Sequence, residues 1–162
     1  MADWFAPELA ERATREMADD AGAFATATAR ALAPISPVID SARAPGTLRR
    51  SYEQIDVHPF AHGDGKSGYA SGVQSHDFVA RLIEYGVAPH DVSAKAGRWL
   101  VFRAWPNGEI VRAKLVHQKG FPGQHIVHRA IEATRFAFDE IAEPALLRWV
   151  ERQSAAAHTG RP

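Results

Sequence analysis

The stretch 98–116, RWLVFRAWPNGEIVRAKLV, decides the fold class. On its first arm Trp99, Val101 and Arg103 alternate with Leu100, Phe102 and Ala104, the two-residue period of a strand. Pro106-Asn107-Gly108 supplies turn chemistry, because proline presets φ and glycine accepts positive φ without cost. Glu109 to Val116 then reads as the return strand. A tight turn joins antiparallel neighbours, so this is a hairpin and not a crossover.

Upstream, residues 3–33 predict one long helix. Asp3 is placed to cap it, and Pro7 falls in the first turn, where its missing N–H costs little. Phe5, Leu9, Ala13, Met17, Ala21, Phe24, Thr28 and Leu32 recur at steps of three and four, and Pro34 ends the run. At about 1.5 Å per residue such a helix is roughly 45 Å long, against about 40 Å for the width of a domain this size. It must kink, with Gly22 a candidate point, or project toward another subunit.

Between helix and hairpin, Pro34 to Gly46 reads as a loop and Thr47 to Gln54 as a short helix or turn capped by Thr47. Ile55 to Phe60 and Tyr69 to Val73 read as strands around a glycine-rich turn. Residues 77–85 are open between helix and strand, because Leu82 and Ile83 are adjacent. Downstream, Gln124 to Ile141 is an amphipathic helix presenting Val127, Ile131, Thr134, Phe138 and Ile141, with Pro144 as its breaker. Leu146, Leu147 and Val150 suggest a last short helix, and residues 153–162 a polar tail. The order predicts an α+β fold: long N-terminal helix, small antiparallel sheet with a hairpin, and C-terminal helix packed on the sheet. One domain is expected over 1–152, with helix 3–33, a sheet region 55–116 and helices over 124–152.

The 162 residues, 46% of them hydrophobic and 23% charged, suit a globular chain with a real core. Nineteen basic residues balance nineteen acidic ones, which argues against dedicated, sequence-blind nucleic-acid binding. With no cysteine there is neither a disulfide framework nor a thiolate site. No apolar run nears the length of a membrane span, and the first residues lack a basic secretory region, so a soluble intracellular product is expected.

Chemical motifs are sparse. Gly63-Asp64-Gly65-Lys66-Ser67 resembles the end of a phosphate loop, but Phe60 stands where that loop needs glycine, and Tyr69-Ala70-Ser71 is a poor helix start. His117, His125 and His128 would serve a small metal-dependent hydrolase only if the fold gathered them. Gly68-Tyr69-Ala70-Ser71-Gly72 has its serine one place late for a nucleophile elbow. Arg43, Arg49 and Arg50 form a cluster that could touch phosphate backbone, the basis for a rival reading as a nucleic-acid accessory protein. Trp105 at the hairpin tip is a candidate protein contact.

Several segments, in order, resemble a family of neck proteins of long-tailed bacteriophages, the head–tail joining or tail-completion proteins. The resemblance rests on Ala33-Pro34 followed by Pro45-Gly46-Thr47-Leu48-Arg49-Arg50-Ser51, on Glu84-Tyr85-Gly86 and on Pro89-His90-Asp91-Val92. It continues through the hairpin to His117, Gly120, Gln124 and Arg129-Ala130-Ile131, covering about residues 1 to 140. Gln118 stands where the family has proline, His125-Ile126 where it has Pro-Phe, and Val87 where it has threonine.

The resemblance implies a virion protein, made in the host cytoplasm and built into the neck. It implies a homo-oligomeric ring, commonly six-fold, around the DNA channel, with DNA only as passing cargo. Its partners would be a head-completion (stopper) protein on one side and a tail terminator or tail-tube protein on the other, with no catalysis, cofactor or membrane. The sibling role is tail terminator, capping the tail tube. Gly46, Leu48, Arg49, Glu84, Tyr85, Gly86, Pro89, His90 and Gly120 would be motif residues, with Gly86 turning the chain and Tyr85 packing inward. Trp4 and Phe5 on the long helix, Trp105, and Phe121 are candidate interface residues, and Arg43, Arg49 and Arg50 candidate channel residues.

Overall fold

The computed structural model describes residues 7–35, 45–61, 63, 67–103 and 109–159. Asp3, Trp4, Phe5, Arg43, Trp105 and most of the 63–67 turn lie outside the described residues. The architecture is α+β, as the hairpin and flanking helices imply. The chain divides into two compact units, one built from residues 1–80 and 125–162 and the other from 81–124. The strands expected over 55–116 are therefore shared between two units and paired as four separate two-stranded ladders.

In the first unit, helix α1 (Pro7–Leu32) is the central element. It packs on the hairpin of β1 (Tyr52–Ala61) and β2 (Ser67–Ser75), and on α4 (Ile126–Phe136) and α5 (Phe138–Thr159). α4 also touches β2. The face of α1 that does this is small: Ala13, Ala25, Thr26, Ala29 and the following Ala33 are buried. Phe24, expected in the stripe, is 37% exposed instead. Ala13 is buried as expected, and from Gly22 onward the buried line runs one residue beside the predicted one, because alanines and glycine let neighbouring backbones approach where phenylalanine would hold them apart.

Gly22 shows the same logic. A Cβ there would stand 2.8 Å from Ser71 Cβ of β2, so its role is close approach of helix to strand. Thr26, buried beside it, returns its hydroxyl to the Gly22 carbonyl at 2.9 Å. The largest fully buried side chains are Tyr52 and Ile126. Tyr52, read from sequence as part of a helix or turn, opens β1, and its carbonyl accepts from Arg30 Nε at 2.9 Å.

Three other expectations change. The short helix α2 (Thr47–Arg50) is not capped by Thr47: Gly46, at φ 77°, holds the N-cap position. The helix over 124–141 is two helices, with the break at Ala137 (φ −93°, ψ 8°). Pro144 lies inside α5, which takes in Leu146, Leu147, Val150 and the expected polar tail as far as Thr159. A proline inside a helix costs about 3 kcal/mol. The helix persists because Ala142 and Ala145 are buried on either side of it and because its arginines anchor it to α1.

The second unit is an antiparallel ribbon, reached through α3 (Phe78–Tyr85), which resolves the ambiguity of that stretch. The Asp77 carboxylate accepts from the Val79 amide at 2.8 Å, and such a cap favours helix. β3 (Gly86–Val87) pairs with β8 (Phe121–Pro122), and β4 (His90–Ser93) with β7 (Leu115–Gln118). Both ladders keep one register. Ala94 N–H to Lys114 O at 2.9 Å extends it, and Gln124 N–H to Ile83 O at 2.8 Å ties the end of α3 to the chain one residue out of that register. β5 (Leu100–Arg103) and β6 (Ile110–Ala113) form the outer hairpin. The return strand expected over 109–116 is therefore bent at Lys114 into β6 and β7, each with its own partner.

Candidate assembly surfaces

The family-like segments between 84 and 121 meet in the ribbon, whereas those over 33–34, 45–51 and 129–131 belong to the first unit. Glu84-Tyr85 end α3, Gly86 opens β3 and His90-Asp91-Val92 lie on β4, and His117 and Phe121 lie on the strands opposite, β7 and β8. His90 faces Gln118, and Asp91 faces His117, whose Nδ1 meets the Asp91 carboxylate. Gly86 sits at φ 77° and Gly120 at φ 71°, conformations that L side chains rarely adopt. At each, a Cβ would also strike the opposite backbone. From Gly86 it would stand 2.6 Å from Phe121 O, and from Gly120 2.8 Å from Pro89 N. Gly123 completes the clasp: its Cβ would stand 2.5 Å from Glu84 O. Sequence reasoning missed Gly123, although its spacing from Gly120 around Phe121-Pro122 was the available signal.

Tyr85 does not pack inward; it is 74% exposed. Gly86 turns the chain directly after it, and Tyr85, the last residue of α3, faces solvent. Phe121 is also exposed, as its candidate interface role requires.

The outer hairpin carries apolar groups that nothing among the described residues covers. Val101 lies directly opposite Arg112. By the two-residue period of strands, Trp99, Ile110 and Lys114 share that face. Trp99, Val101 and Ile110 are each more than half exposed. Lys114 pins the bend: its ammonium donates to Arg98 O at 2.6 Å and lies 4.2 Å from the centroid of the Trp99 ring.

In the first unit, the α1–α5 seam is ionic. Glu16 accepts from Arg152 Nη2 at 2.9 Å, from Arg148 Nε at 3.2 Å and from Arg12 Nε at 3.1 Å. Arg148 also reaches Asp20 at 3.3 Å. Burial pushes the Glu16 carboxyl up, and the three guanidinium hydrogen bonds outweigh it, holding the group below the usual carboxylate range. Nearby, a groove of about 740 Å³ is lined by Glu8, Glu11, Arg15, Asp19 and Tyr69 among others. Tyr69 donates its hydroxyl to Glu11, and that bond raises the phenol above its usual value. In sequence these charges, Asp19-Asp20 among them, read only as solvated helix charges, since charges on an amphipathic helix look alike until a partner helix is placed.

The arginine cluster is divided in role. Arg49 is half-buried and donates from Nη2 to Ala33 O at 3.3 Å, tying α2 to the end of α1, whereas Arg50 is exposed. The histidines have separate neighbours. His117 meets Asp91, His128 meets Glu132 at 3.4 Å, and His125 caps α4 at φ 50°. Among the described residues, no three His, Cys, Asp or Glu side chains are grouped to hold one metal ion. Nor is any described helix long and apolar enough to cross a membrane. No protein-family model, no curated protein and no solved structure matches this chain.

Proposed function

We propose that this chain is a structural subunit of the neck of a long-tailed phage particle, forming a ring that joins the DNA-filled head to the tail. The observation that carries the reading is the clasp. Gly86, His90 and Asp91 are far in sequence from His117 and Phe121, yet Gly86 pairs with Pro122, Val87 with Phe121, His90 with Gln118 and Asp91 with His117, beside Gly86 and Gly120, which leave no room for a side chain. Segments that a family pattern holds together are expected to be built together in space. The exposed apolar hairpin supports the same reading. A lone two-stranded ribbon is marginal in water, so a partner surface is the natural source of its stability. The partners are further copies of the chain, a head-completion protein and a tail terminator or tail-tube protein, with DNA passing through the channel.

Electron microscopy of a lysate from particles lacking this gene tests the proposal. DNA-filled heads beside separate tails of normal length are the expected result. Tails of uncontrolled length would move the assignment to tail terminator, and normal joined particles would overturn both.

A further inference from the structure

We infer that the outer hairpin of one copy docks on the outward face of α5 of the next copy, as a head-to-tail contact. Zero net charge hides a division of the chain. Residues 81–124 carry seven Lys/Arg against three Asp/Glu, a formal +4, and the remainder carries twelve against sixteen, a formal −4. Each unit also presents an exposed surface in which apolar groups are set among charges of its own sign.

On the ribbon, Trp99, Val101 and Ile110 share a face with Arg112 and Lys114. On α5, Glu140, Glu143, Leu147 and Val150 recur at steps of three and four, and Glu151 adjoins them. Leu147 is 56% and Val150 50% exposed. All three glutamates are exposed, and none has a hydrogen-bond or ion-pair partner among the described residues. The opposite side of α5 is already used, through Ala142, Ala145, Arg148 and Arg152.

The two surfaces also match in size. From Glu140 to Glu151 is about 16 Å along a helix, and a four-residue strand is about 13 Å. Basic-apolar against acidic-apolar buries aliphatic and indole surface at the centre and leaves opposite charges at the rim. Because the two patches differ, each copy offers one and receives the other, the heterologous contact from which rings close. The inference deepens the ring reading above and rests on it for closure; the contact itself rests on the two patches.

The test uses the full chain in sedimentation velocity over a range of protein and salt concentrations. The variants are Glu140→Lys/Glu143→Lys and Arg112→Glu/Lys114→Glu, with circular dichroism to show that each folds. The wild type is expected to self-associate, less so as salt screens the rim. Each variant alone should lose self-association by about 100-fold, and an equimolar mixture should recover it, which a misfolded variant could not do. Assembly of both variants at wild-type strength would overturn this contact and leave the ring reading standing. A wild type monomeric at every concentration would also overturn it, while the joining role is judged separately by the lysate. Loss of duplex DNA binding, with assembly unchanged, in Arg112→Glu/Lys114→Glu would instead make the hairpin a nucleic-acid surface and overturn the proposal.

Discussion

A side-chain methyl on Gly86 would stand 2.5 Å from the backbone nitrogen of Gly123, so the two strand lines of the ribbon touch backbone to backbone. This contact joins the resemblance-bearing segments, and it makes the clasp intolerant of substitution while the aromatic beside it is free.

Gly86→Val should be severe and Tyr85→Ala mild. Valine at φ 77° carries a conformational cost of roughly 1–2 kcal/mol, and overpacking against backbone that cannot rotate away adds to it, for a total of about 3 kcal/mol. Tyr85 is mostly exposed, so its removal should change stability by less than about 0.5 kcal/mol. Urea unfolding, with amide exchange read over residues 81–124, checks both. A Gly86→Val protein with wild-type protection there would refute the clasp.

Gly22→Ala should destabilise although alanine is the better helix former. The helix gains about 1 kcal/mol, and the new methyl meets Ser71 Cβ at 2.8 Å, an overpacking cost of about 1–3 kcal/mol. Adding Ser71→Gly removes the obstacle. A double-mutant cycle by thermal unfolding should show favourable coupling of about 1 kcal/mol or more; strict additivity would mean that helix and strand are not in close contact at this point.

The Glu16 cluster predicts an acid-sensitive first unit. Its folded carboxyl is held below the unfolded value of about 4.3. The stabilisation is therefore complete above that pH and is lost as pH falls through the lowered folded value. Glu16→Gln should cost about 2 kcal/mol at neutral pH and flatten the acid limb of stability against pH. An unchanged acid limb would show that the three arginines are not holding this group.

Arg49 and Arg50 should separate cleanly. Arg49→Ala removes the hydrogen bond to Ala33 O and should cost about 1.5 kcal/mol. Arg50→Ala, at an exposed position, should stay within about 0.5 kcal/mol. Thermal unfolding of the two variants decides it, and equal, negligible effects would return Arg49 to the set of surface arginines.

Legibility followed the range of the interactions. The outer hairpin was readable because Pro106-Asn107-Gly108 and the alternation around it are local. What lay beyond reach was the bend at Lys114, since β6 and β7 look like one strand until β4 takes β7 as its partner. The break at Ala137 was missed for a similar reason. Pro144 is the louder local signal, and burial of Ala142 and Ala145 with the ion pairs to Glu16 overrides it.

By itself, the sequence determined the fold class, the long first helix and the hairpin, because each follows from backbone conformation and near-neighbour periodicity. The tertiary structure alone decided which face of α1 is buried, that Arg49 is tied to α1 and Tyr85 is exposed, that Glu16 gathers three arginines, and that a neutral chain separates into an acidic and a basic unit. Those outcomes depend on which distant segment arrives as a neighbour, and burial and charge pairing take their values only once it is there.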